Sequence, residues 1–354
     1  MTSEVTRRNH YDVTDRVFLA DPRSVCAAVC ELLHGLYPSA DLRPVAQAFD
    51  QFSRLYAGTL PGYLGCETWY HDAQHSLDCA LAMARLMDGH ERSVPAAQRL
   101  DQRRVVVGVI AALFHDAGYI RSAGDSQRHG AEFTLSHVRR SGDFLAHFLP
   151  TVGFAPEARV VEQLVHYTGY EMALDDIDVA DPLDRRLGFM LGTADVLAQM
   201  SDRCYLEKCR DFLYAEFEIC GLAGAPRDGA RPIYSSREEL LGRTHDFRHK
   251  LWSERIEGHF EGVQRYAAVH FGGRNLYEDV VHSHMRRLHG VLRSGQLQQD
   301  LRRRCEAINA EPLRAILGMR PAEAGSALRE ALRAPRHRRI PRRNLALTAG
   351  YIPI

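Results

Sequence analysis

The stretch VVVGVIAALFHDAGYI, residues 105–120, decides how this chain is read. Val105 to Phe114 is an apolar run of helical length, and it stops on His115-Asp116, two groups that are costly to bury unless paired or bound to something. A buried helix ending this way implies partners elsewhere in the chain. Outward from it, apolar residues recur at three- and four-residue steps, and no alternating strands joined by Asn-Gly or Asp-Gly turns occur. The expected fold class is all-α, with helices near 22–36, 42–58, 73–88, 101–116, 128–147, 155–167, 182–202, 203–220, 236–269 and 276–294.

The chain has 354 residues, 45% of them hydrophobic, enough to bury a substantial core. Lys plus Arg and Asp plus Glu each total 45, so net charge points to neither a nucleic-acid partner nor a membrane surface. The balance is local: residues 286–343 hold 15 arginines against five acids. The opening MTSEVTRRNHYDVTDR lacks an apolar signal core, and no run approaches the roughly 18 apolar residues of a membrane helix, so a cytoplasmic location is expected. Eight cysteines include no CxxC pair and are read as free thiols.

Three residues could share an ion with that terminal pair. In YHDAQHSLDCALAMARLM, residues 70–87, His71 and His75 are four apart at the start of a helix and share a face. In LGFMLGTADVLAQMSD, residues 187–202, Asp195 lies inside an apolar helix, where an unpaired carboxylate would cost several kcal/mol or become neutral. Each feature alone is weak, since structural histidine pairs and capped or salt-bridged aspartates are common.

Their order, His75, then His115-Asp116, then Asp195, resembles the HD-domain metal-dependent phosphohydrolase superfamily over residues 55–215. Within it, GTLPGYLGCETWYHDAQHSLDC (58–79) is similar to the YHNxxHxxDV signature of class I cyclic-nucleotide phosphodiesterases, and GTADV (192–196) to their CADLS segment. The resemblance implies an HD-domain helical bundle with additional C-terminal helices. It implies that His75, His115, Asp116 and Asp195 bind a first ion, with His71 and Asp116 the catalytic residues and His71 donating a proton to the leaving oxygen. The sequence departs from the signature at Asp72, where the family has Asn, and at Tyr119, where it has His. No counterpart of the purine-clamping glutamine is present.

His129 and His166 fall between Asp116 and Asp195 and resemble the extra ligands of binuclear HD proteins, in which Asp116 would bridge two ions. Imidazoles and carboxylates suit Mn, Fe, Zn, Co or Ni, with Mg an option, so one or two divalent ions are the expected cofactors. Two such ions can hold an attacking hydroxide between them and lower the pKa of a bound water towards about 7. Arg121, Arg128 and Lys208 are candidates for gripping phosphate oxygens, and Tyr119 and Thr168 for lining the pocket. His245-Asp246 lies in a charged amphipathic helix with no downstream partner and is set aside.

The expected reaction is hydrolysis of a phosphodiester or nucleotide-like phosphoester, with a small-molecule phosphoester as partner. A di-iron oxygenase with the same ligand set is the alternative, and a non-catalytic regulatory or nucleic-acid-binding HD protein the next. The expected division is an N-terminal helical segment 1–54, a catalytic core 55–220, helices 221–295 packing on the core or on a second copy in a homodimer, and a basic tail 296–354. That tail, without interleaved aromatics, is read as a solvated arm that could contact nucleic acid.

Overall fold

A computed structural model describes residues 8–226, 231–303 and 305–319. The chain is all-α. In order come α1 (Pro22–Leu36), α2 (Arg43–Tyr56), α3 (Ala73–Ser93), α4 (Gln102–Phe114), α5 (His137–Phe148), α6 (Ala158–Leu164) and α7 (Pro182–Ser201). They are followed by α8 (Tyr205–Lys208), a π-helical turn at Cys209–Leu213, and α9 (Tyr214–Ile219). Next are α10 (Arg237–Lys250), continued by a π-helix at Leu251–His259, then α11 (Arg265–His270), α12 (Leu276–Ser294), α13 (Leu297–Asp300) and α14 (Ala310–Leu317). Among the described residues no strand forms beyond isolated bridges such as Tyr11 with Phe18, and no helix is long and apolar enough to cross a membrane. All eight cysteines are free.

Helix α3 is the axis of the fold, packed against α1, α4, α7 and α11. Every residue from Ala73 to Glu91 is buried. Its start is set by Asp72, whose side chain accepts the His75 N–H at 3.0 Å and so satisfies one of the orphan donors of the first turn. Leu77, Leu81, Met83, Leu86 and Met87 are removed from water, each contributing roughly 1.5–3 kcal/mol. Two charges on the same helix are paired internally: Arg85 with Asp12 and the Tyr277 hydroxyl, and Asp88 with His270 and Arg92. At Gly89 the α11 backbone comes so close that a Cβ would stand 1.8 Å from the Tyr266 carbonyl oxygen.

One contiguous core runs from Leu19 to Leu313. Helices α1 and α2 lie on α3 and α4, α11 lies on α3, and α12 lies on α7. The expected helix over 128–147 is broken into a 3-10 turn at Gly130–Phe133 and α5. His129 and Glu132 form a capping box that starts the turn, and the Ser136 N–H closes on Phe133 O before α5 begins. The expected span 236–269 is likewise interrupted after His259, where Glu261 and Gly262 take positive φ. Part of the expected basic tail is folded: Leu301, Ile308 and Leu313 are buried, and the Ile308 N–H donates to Asp72 Oδ2 at 2.8 Å. Residues 320–354 lie outside the described residues.

Candidate metal centre

The N-terminal end of α3, the C-terminal end of α4 and the middle of α7 converge. His75 Nε2 stands 3.1 Å from Asp195 Oδ1 and 3.2 Å from His115 Nε2. Asp116 Oδ2 lies 3.2 Å from His115 Nε2 and 3.4 Å from His75 Nε2, and His115 Nε2 is 3.5 Å from Asp195 Oδ1. The ligand atoms of His75, His115 and Asp195 all lie within 4.8 Å of one another. Around an ion with bonds of about 2.1 Å, neighbouring ligand atoms are about 3.0 Å apart in octahedral and about 3.4 Å apart in tetrahedral geometry. Four of the five spacings fall in that range, and the fifth, at 3.5 Å, lies just above it.

Donor chemistry fits the same occupant. His115 Nδ1 donates to the Ala112 carbonyl at 2.8 Å, so Nε2 is the ring atom turned into the cluster, where loss of its proton to an arriving cation would free a lone pair. Asp116 Oδ2 is buried, and no N–H points at it with hydrogen-bonding geometry. Such an orphaned anionic oxygen beside inward-facing imidazole nitrogens is what a cation would satisfy. Burial alone would raise the Asp116 carboxyl, but neighbouring His115 outweighs it and holds Asp116 well below the usual carboxylate range. Asp195 is depressed for the same reason, chiefly by its hydrogen bond with His115 against the effect of burial.

Beside the cluster, His71, Tyr119 and His137 form a stack. The Tyr119 ring lies 4.3 Å from the His71 ring and 4.3 Å from the His137 ring, at 18° and 20°. His71 Nδ1 bonds to Glu216 Oε2 at 2.7 Å, and Glu216 Oε1 accepts the N–H groups of Trp69 and Tyr70 at 2.6 and 2.7 Å. Burial pushes the His71 imidazole down, yet the Glu216 carboxylate prevails and raises it. His137 goes the other way, lowered by burial despite Asp116. Its Nδ1 donates to Thr134 O at 2.8 Å, which leaves Nε2, 3.5 Å from Asp116 Oδ1, as an acceptor.

Of the other residues singled out from the sequence, His166 is buried, with Nδ1 3.2 Å from Glu171 Oε1. Its hydrogen bond overcomes the burial effect on Glu171 and lowers that carboxyl. His129 caps the turn at 130–133: its Nδ1 accepts the Ala131 N–H, and its ring meets Trp69 edge-on. Neither belongs to the three-ligand group. Arg121 is held by both oxygens of Glu67 and by Gln127 O, while Arg128 is exposed. Lys208 is buried, bonded to Asp202 at 2.8 Å and 3.7 Å from Asp72, so its ammonium is enclosed within the fold. This pairing also gives a reason for the aspartate at position 72, whose charge Lys208 balances. Thr168 Oγ1 donates to Val165 O.

His137 and Glu216 escaped the sequence reading. His137 is in line with buried Ser141 and Leu145 at four-residue steps on α5, and Glu216 follows buried Leu213 by three residues. Polar groups on an otherwise buried helical stripe are the signal that could have found them. Compared with known protein families, with curated proteins and with solved structures, the chain matches none.

Proposed function

We propose that this chain is a cytoplasmic, metal-dependent phosphohydrolase of the HD type, acting on a phosphodiester or nucleotide-like phosphoester. The observation that carries the reading is the convergence of His75, His115, Asp116 and Asp195 from three helices around an orphaned Asp116 oxygen. These four residues would hold a divalent ion, which when bound lowers the pKa of coordinated water and polarises phosphoryl oxygens. His71 supplies the proton: Glu216 occupies its Nδ1, so Nε2 carries the transferable hydrogen towards the leaving oxygen. Tyr119, stacked against both His71 and His137, holds both ring planes. Two imidazoles whose centroids are 6.1 Å apart are thus driven in opposite directions, His71 towards the cation and His137 towards the neutral ring, a pattern that separates an acid from a ligand.

The test is hydrolysis of bis-p-nitrophenyl phosphate and of a nucleotide panel by metal-replete protein. Full activity in His115→Ala plus Asp116→Ala refutes the proposal. A di-iron oxygenase is the second reading, supported by His137 Nε2 lying 3.5 Å from the second oxygen of Asp116, which favours a bridged second ion. A mixed-valent di-iron EPR signal in aerobically purified, iron-loaded protein, with no phosphoesterase activity, would select it.

A further inference from the structure

A second cavity, of about 960 Å³, opens on the C-terminal half of α3. It is separate from the metal centre: at about 1.5 Å rise per residue, Asp88 in its wall is about 20 Å along the helix from His75. Its walls come from the turn at Arg16–Val17, from α1, from α3 and from the end of α11. This size lies within the range of small-molecule sites. Leu36, Leu81 and Phe271 supply apolar wall.

The inner charges of this cavity are satisfied from within the protein. Arg85 is bound to Asp12, and Asp88 is bound to His270 at 2.6 Å and to Arg92 at 2.8 Å. Glu91 accepts the Tyr37 hydroxyl at 2.8 Å and the Leu100 N–H at 2.9 Å. Arg85, Asp88 and Glu91 are buried and locked, so they shape the cavity without offering a free charge. The mouth differs. Arg16 and Arg99 are exposed, and among the described residues neither guanidinium makes a hydrogen bond or an ion pair; Glu31 is the one wall carboxylate in the same condition. Two free guanidiniums against one free carboxylate leave the entrance positive above an apolar interior.

We propose that this cavity binds an organic anion, its carboxylate or phosphate head drawn to the positive rim that Arg16 and Arg99 supply and its apolar body lying on Leu36, Leu81 and Phe271. Guanidinium forks match both head groups in a bidentate manner, and the apolar interior rewards a tail that a free inorganic anion lacks. The site shares no residue with the metal centre, so it stands whether or not the chain is a phosphohydrolase.

The test is calorimetric titration of the full chain with octanoate and octyl phosphate, with octylammonium and octanol as controls. The anions are expected to bind at least about tenfold more tightly than the two controls, and their order identifies the preferred head group. Arg16→Glu combined with Arg99→Glu should weaken the better anion at least about tenfold. Ala27→Trp, which fills the mouth from an exposed position on α1 without changing charge, should weaken it similarly. All three positions are exposed, and unchanged circular dichroism of the unliganded variants confirms folding. Absence of anion binding at millimolar concentration, equal binding of octylammonium or octanol, or undiminished binding in either variant overturns the proposal.

Discussion

Asp195→Asn tests the proposed metal centre most directly, because it removes one negative charge and one candidate ligand oxygen at nearly constant volume. In the native chain Asp195 Oδ1 is 3.1 Å from His75 Nε2 and 3.5 Å from His115 Nε2. An ion at one hundred times its dissociation constant stabilises the folded state by about 2.7 kcal/mol. Unfolding entropy of about 2.1 cal/mol/K per residue amounts to about 0.7 kcal/mol/K for 354 residues, so that stabilisation raises the melting temperature by about 4 °C. Losing one of four ligands with its charge lowers affinity by about 100-fold or more, and the same ion concentration then contributes about 0.4 kcal/mol, or about 0.6 °C. The metal-free variant loses one acceptor for His75, worth about 1 kcal/mol, and melts within about 2 °C of the native chain. The assay is thermal melting of chelator-treated protein with and without Mn²⁺ or Zn²⁺, together with elemental analysis after dialysis. Equal ion content and an equal metal-induced shift in the two proteins would refute the reasoning.

Further outcomes are expected at His71 and its partner, at Asp12 and at two glycines. Glu216→Gln removes the carboxylate that raises His71, so His71 loses its proton at lower pH and the alkaline limb of a kcat–pH profile moves to lower pH, while His71→Asn lowers kcat by about 10²–10⁴ with metal content intact. Asp12, in its buried pair with Arg85, is held below its ordinary value of about 3.9. Its stabilisation is therefore complete above that pH and disappears as pH falls through the depressed value. Asp12→Asn should lose about 3 kcal/mol or more at pH 7, yet show a smaller further loss than the native chain below about pH 4 in denaturant titrations. Gly89→Ala sets a methyl against the Tyr266 backbone and should destabilise by about 1–3 kcal/mol or more, whereas Gly242→Ala on α10 meets nothing within 4 Å and should stabilise by about 0.5–1 kcal/mol in the same melts.

The residues of the candidate metal centre were legible because each breaks a local pattern. His115-Asp116 ends an apolar run, Asp195 interrupts another, and His75 sits one turn into a third, so periodicity placed each on a buried helix. Charged residues in polar surroundings carried no such signal. Lys208 and Arg121 read as free cations for phosphate, but their charges are held by Asp202 and Glu67, partners at six and 54 residues' separation. His129 looked like a ligand by its place in the order of histidines, and it caps a 3-10 turn instead of joining the three-ligand group.

By itself, the sequence determined the all-α class and most helix limits, including Pro22–Leu36 and Leu276–Ser294, because helical periodicity and caps such as Asp72 and Asn275 act within a few residues. Tertiary structure alone decided which polar groups meet. The pairing of His71 with Glu216 across 145 residues, the approach of His137 to Asp116 and the closure of a cavity between α1 and α3 depend on helix crossings that no local spacing encodes. Side-chain contacts between helices are set by the packing of the whole core, so the charge a buried residue carries follows from neighbours that are distant in the chain.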